Sequence, residues 1–103
     1  MEVFDLMDLE AQGYSNRQVN VFYQNDQFKV RVIELKAGGK IPACEMESYV
    51  MFYVVKGTVL IRKNTEESAL KEYQVFITEP ALISMESESG ARLMGVQVNI
   101  KER

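Results

Sequence analysis

The 103-residue sequence contains no histidine and no tryptophan, only one cysteine and only two prolines. Each scarcity removes a class of chemistry. Without histidine there is no imidazole to complete a zinc, iron or manganese site of the common type, and none to act as the usual general base. A lone Cys44 cannot form an internal disulfide, which fits a reducing compartment. No apolar run approaches the roughly 18 residues a membrane-crossing helix needs. The first residues, MEVFDLMDLE, carry acids where a signal peptide needs bases. A cytoplasmic protein without a membrane partner is expected. Clustered basic residues are missing too: twelve Lys and Arg are interleaved with fifteen Asp and Glu, for a net charge of −3. Nucleic acid is therefore not an expected partner, because phosphate binding needs grouped cations that displace counterions.

What the sequence does have is enough apolar material, 47% of its residues, for one packed core. A single domain spanning residues 1–103 is expected. At this size the surface is large relative to the volume, so burying one face against a second copy adds stability, and a homodimer is expected.

The chain reads as strand after strand. Arg17 to Tyr23, Phe28 to Leu35, Tyr49 to Val55, Thr58 to Arg62, Gln74 to Thr78, Leu82 to Glu86 and Arg92 to Asn99 are short and rich in β-branched and aromatic residues. Between them lie turn residues: Asn25-Asp26, Gly38-Gly39, Lys56-Gly57 and Ser89-Gly90, with Gly38-Gly39 leading into a strand that contains Pro42. This spacing predicts hairpins, a tight one at Lys56-Gly57 among them. Helical periodicity occurs at Val3 to Ala11, where Val3, Leu6, Met7 and Leu9 fit one face of a short N-terminal helix.

Alternation sorts the strands into faces. Val19, Val21 and Tyr23, and likewise Val96, Val98 and Ile100, make apolar faces opposite Asn20, Gln97 and Asn99. The second strand has one face of Phe28, Val30, Val32 and Glu34, and another of Lys29, Arg31, Ile33 and Leu35. Tyr49 to Val55 is apolar throughout, which predicts a strand covered on both faces, by the core and by a second sheet or subunit. The whole implies an all-β sandwich or closed barrel, since closure removes exposed edges.

The segment GGKIPACEMESYVMFYVVKGTVLIRK resembles the first sequence motif of the cupin superfamily, which runs Gly, five residues, His, any, His, three or four residues, Glu, six residues, Gly. With Gly38 and Gly57 as anchors the spacing is kept, but the two histidine positions hold Cys44 and Met46 and the glutamate position holds Val50. The second motif is similar to QVFITEPALISMESES, where Pro80 matches and the third histidine position falls on Met85, or on Ile83 in the alternative frame. The resemblance, over about Phe28 to Asn99, implies an antiparallel jelly-roll β-barrel of the small RmlC-like kind. It also implies that the metal ligands of such barrels are replaced here.

In that frame Cys44, Met46, Val50 and Met85, with Tyr53, line a soft, largely apolar interior. Flexible sulfur side chains refill irregular gaps, so no metal and no cofactor are expected, and a small organic molecule bound inside the barrel is the expected function. One thiolate and two thioethers also suit Cu(I), which makes a soft-metal site at Cys44, Met46 and Met85 the alternative. A metal-independent isomerase or lyase using carboxylates and phenols is a second alternative, and a barrel packed solid for protein interaction is a third. No catalytic residue is assigned. Glu45 and Glu47 are expected to alternate away from Cys44 and Met46 into solvent. The phenols of Tyr49, Tyr53 and Tyr73 are available to orient a ligand. Glu34 is unremarkable at a rim and notable only if buried.

Overall fold

Short β-branched and aromatic runs with turn residues between them have little alternative to a sheet, and nine strands form among the described residues. The computed structural model describes residues 1–11 and 20–98. The strands are β1 (Val21–Gln24), β2 (Phe28–Leu35), β3 (Gly39–Glu45), β4 (Tyr49–Gly57), β5 (Val59–Lys63), β6 (Glu66–Leu70), β7 (Val75–Thr78), β8 (Leu82–Ser87) and β9 (Ala91–Val98). They lie in two sheets, of order β1-β2-β9-β4-β7 and β3-β8-β5-β6, with every pairing antiparallel. This is the expected all-β jelly roll.

Most of the turns are not hairpins. From β2 onward the chain changes sheet at nearly every connection, and β4 pairs with β7 and β9 rather than with β5. Lys56-Gly57 is therefore a crossing between sheets, not the tight hairpin expected. Gly57 has φ 85°, and a Cβ there would sit 2.3 Å from the Gly90 carbonyl oxygen, so only glycine lets the two crossings touch. Among the described residues two hairpins do form. At β1–β2 the Asn25 side chain accepts from Gln27 N (2.8 Å) and Phe28 N (2.9 Å). At β5–β6 the turn is Asn64-Thr65, with Asn64 at φ 55°.

β6 is absent from the expected strands, and β3 is the Pro-containing strand expected after Gly38-Gly39, outside the seven runs rich in β-formers. Pro42 and its neighbours sit at an irregularity between Ile41 and Cys44, and β6 reads Glu-Glu-Ser-Ala-Leu, almost without β-formers. Pairing to β8 and β5 makes them strands in spite of their composition. Of the expected first strand, residues 17–19 lie outside the described residues, as do Asn99 and Ile100 of the last.

The N-terminal helix does not form. One turn closes from the Asp5 carbonyl to Asp8 N (3.0 Å) and Leu9 N (3.2 Å), and the Asp5 side chain takes Met7 N (2.9 Å). The Leu6 and Leu9 carbonyls, which a helix would use internally, instead accept from the buried Arg92 guanidinium, Nε to Leu6 at 2.6 Å and Nη2 to Leu9. Arg92 Nη1 also donates to Glu34 Oε1 at 2.6 Å, so Glu34 is a half-exposed partner at the rim and not a buried lone acid.

Register fixes the faces. Ile33, Leu93 and Val54 stand opposite one another on the inner face, with Leu35 and Ala91 beyond them. They join Ile41, Val59, Ile61, Ile83 and Met85 of the other sheet in one core. Each such Val, Leu, Ile or Met side chain contributes about 1.5 to 3 kcal/mol by leaving water.

Candidate functional site

The inner positions change character along the strands. On β2 they run Leu35, Ile33, Arg31, Lys29, and on β9 they run Ala91, Leu93, Gly95, Gln97. On β4 the matching positions are Val54, Phe52 and Val50. One end of the barrel is thus apolar and packed. At the other end inward-facing Lys29, Arg31 and Gln97 prevent the same closure, because buried charges resist desolvation. Gln97, read from sequence as part of the polar face, points inward here, while Val96 and Val98 stand on the outside.

A cavity of about 290 Å³ occupies this end, lined by Lys29, Arg31, Ile33, Ile41, Cys44, Glu45, Met46, Glu47, Val50, Phe52, Gly95, Val96 and Gln97. Its floor is Ile33, Ile41, Val50 and Phe52, all buried. Gly95 makes the space: a Cβ there would lie 3.2 Å from the Phe52 ring and 3.7 Å from Arg31 Cγ. The rim is formed by the end of β3 and the residues after it, held by Met46 N donating to the Ala81 carbonyl at 2.8 Å. Cys44, Glu45 and Glu47 are exposed there, and Met46 packs half-buried on the core.

The expected site is therefore brought together in part. Cys44, Met46 and Val50 line one cavity, as the motif spacing implies. Met85 does not: it is fully buried in the core, paired with Ile41 and Ile61. The alternative Ile83 is equally buried, opposite Cys44. Tyr53 stands on the outer face, opposite Met94 and Val75, because it alternates with inward Phe52 and Val54. Tyr49 and Tyr73 are exposed. Glu45 and Glu47, expected to point away, border the cavity, since β3 ends at Glu45 and strict alternation ends with it.

The missed residues are Lys29, Arg31, Gln97 and Gly95. Their signal was present in the alternation of β2 and β9, but alternation does not say which face is inside. The interior is correspondingly not the greasy, sulfur-lined chamber expected but an apolar floor under a charged mouth.

The donor set does not fit the metal that the motif resemblance implies. Its three first-motif positions supply one thiol, one thioether and an aliphatic chain, and the remaining sulfur, Met85, lies in the core. Among the described residues no group of three or more His, Cys, Asp or Glu side chains is placed to hold a metal ion.

Charge elsewhere is ordinary surface pairing. Arg62 donates to Glu67 (3.0 Å) and Glu86 (2.9 Å), and these bonds, Glu86 first, raise its pKa. Lys63 pairs with Glu79, which holds the Glu79 carboxyl below its usual range, with help from the Thr78 hydroxyl at 3.0 Å.

No family model matches the sequence, and no curated protein matches it. Solved structures do match the fold. A Thermus thermophilus protein superposes with a TM-score of 0.83 at 22% identity over 95% of this chain and 97% of its own. A conserved Streptococcus pyogenes protein of unknown function gives 0.79 at 16% identity, covering 98% and 90%. A cupin superfamily protein of Desulfitobacterium hafniense gives 0.74 at 10% identity, covering 78% and 74%. The chain has the cupin jelly-roll fold.

Proposed function

We propose that this cupin-fold barrel is a binding module that takes a small organic molecule into the cavity at its open end and uses no metal there. The observation that carries the reading is the cavity itself. Its volume, about 290 Å³, stands at the lower end of the roughly 300 to 1000 Å³ of small-molecule sites. Its lining joins an apolar floor to a few convergent polar groups, the combination that fixes a ligand's position and orientation. Cys44, Met46 and Val50 contribute soft contacts to one side of it.

The test is a fragment screen by ligand-detected NMR on the wild type and on Val50→Trp, which fills the cavity from its floor. Fragments that bind the wild type and lose binding in the variant support the reading. If all hits persist in the filled variant, the cavity is not the site. A Val50→Leu variant, closer in volume, guards against misfolding of the larger one.

A second copy of the chain is the proposed partner, through the outer face of the five-stranded sheet. Tyr49, Val75, Ile77 and Val98 are 47%, 49%, 59% and 41% exposed there, beside half-buried Met51 and Tyr53. An apolar surface of this kind on a small domain is commonly covered. Sedimentation equilibrium checks it: Ile77→Lys is expected to shift a dimer to monomer, and a monomeric wild type removes the proposal. Residence in a reducing compartment such as the cytoplasm is proposed on the single, unpaired Cys44. Among the described residues no helix is long and apolar enough to cross a membrane.

A further inference from the structure

We infer that the ligand is a small organic anion, with its carboxylate, or a group of like charge, held by Lys29 and Arg31 and its apolar body lying on Val50 and Phe52. The inference rests on reading the cavity as a ligand site and adds the class of ligand.

Strand register sets the depth of each group. Lys29 stands opposite Gln97, which stands opposite Val50, and one layer further in Arg31 stands opposite Gly95, which stands opposite Phe52. Two cations from one strand therefore face the cavity from successive layers, next to an uncharged amide and above an apolar floor. Both are half-buried, whereas Glu45 and Glu47 at the rim are exposed. Water and salt screen the rim carboxylates more strongly than the inner cations, so the interior favours negative charge although formal charges in the lining balance.

Lys29 adds a second argument. Among the described residues its ammonium takes part in none of the ion pairs that Arg62, Lys63 and Arg92 make. An inward cation in a partly desolvated site gains more from a bound anion than an exposed one does. Gly95 keeps the layer at Arg31 open, since any side chain there would meet the Phe52 ring.

The test compares three probes with the same six-carbon body: hexanoate, hexanol and hexylamine, titrated into the full chain and followed by amide shifts of residues 29–31, 41–52 and 95–97. Hexanoate is expected to bind about tenfold more tightly than hexanol, the gain typical of a hydrogen bond to a charged partner, with hexylamine weakest. Lys29→Met should lower hexanoate affinity about tenfold and leave hexanol unchanged, with Lys29→Gln as a second variant if the first is poorly folded. Glu45→Gln should preserve or strengthen hexanoate binding. If hexanol or hexylamine binds as tightly as hexanoate and shifts these amides, the anion assignment falls while the cavity remains a ligand site. If Lys29→Met leaves hexanoate affinity unchanged, the assignment falls in the same way. If none of the three shifts these residues, the cavity reading falls and takes the assignment with it.

Discussion

The two ends of this barrel are built from the same strands and differ in what those strands turn inward. At the closed end Leu35, Ala91, Val59 and Leu70 pack together, and Gly57 and Gly90 let two sheet crossings touch. Ser87 ties the crossings: its hydroxyl donates to the Thr58 carbonyl (2.6 Å) and accepts from Gly90 N (3.0 Å). At the open end Lys29, Arg31 and Gln97 occupy the corresponding inward positions, and the interior holds a cavity. The packed core and the cavity are thus separated along the barrel axis. Packing at one end fixes the strands, and the fixed strands hold charged side chains at the other, where a flexible support would let them collapse onto the floor.

The sharpest way to break that contrast is to cut into each end. Leu93→Ala removes a side chain with 0% exposure and is expected to cost about 3 kcal/mol in urea unfolding. Met46→Ala at the mouth should cost about 1 kcal/mol or less, because water can enter the space it leaves. Equal losses would mean that the mouth is as much a part of the core as the centre. Gly57→Ala comes next, with an expected loss of at least about 1 kcal/mol, since a positive φ and a blocked Cβ act together. Gly90→Ala provides a check on the same contact from the other side, where the nearest atom is 3.2 Å away and the loss should be smaller.

Arg92→Met sharpens the comparison from outside. It removes the three bonds that fasten the Leu6 and Leu9 carbonyls and Glu34. About 1 to 2 kcal/mol should be lost, with faster hydrogen exchange at Met7 to Leu9 and unchanged exchange in β4. The smallest effect belongs to the surface pair of Lys63 and Glu79. Because Lys63 lowers the folded-state pKa of Glu79, the pair stabilises above the unfolded carboxylate pKa and is lost as pH falls through the folded one. Glu79→Gln should therefore lower stability slightly at neutral pH, leave it unchanged at low pH where the carboxyl is already neutral, and so flatten the acid limb of the profile.

The fold was legible in the sequence because its strongest signals, the β2 and β4 runs and the Gly38 to Gly57 spacing, are local. β2 has the bounds its composition gives, Phe28–Leu35. What local signals could not show was pairing. Glycine turns at Lys56-Gly57 and Ser89-Gly90 look like hairpins, yet join strands of different sheets. The polar β6 is a strand because β5 pairs with it. The candidate site was half legible for a related reason. Motif spacing led to Cys44, Met46 and Val50, but Met85 stands between Ile41 and Ile61 in the regular part of the ladder and is buried in the core, while beyond the irregularity in β3 Cys44 comes to face Ile83. Alternation puts Gln97 on the polar face of its strand and leaves the two faces of β2 without an inside, so neither Lys29 nor Gln97 is recognisable from it as inward; it does not say which face the barrel encloses.

The central claim is that the open end, and not the outer sheet face, receives a small molecule. Cys44 lines that end and is a natural reporter. The direct measurement is its rate of alkylation by iodoacetamide, with and without the tightest-binding fragment, beside the same rate for Tyr53→Cys in a Cys44→Ser background. Slowing of Cys44 by about tenfold or more, with the outer-face cysteine unchanged, is the result expected from a ligand seated over it. Protection of the outer-face cysteine with Cys44 left fully reactive would contradict the account.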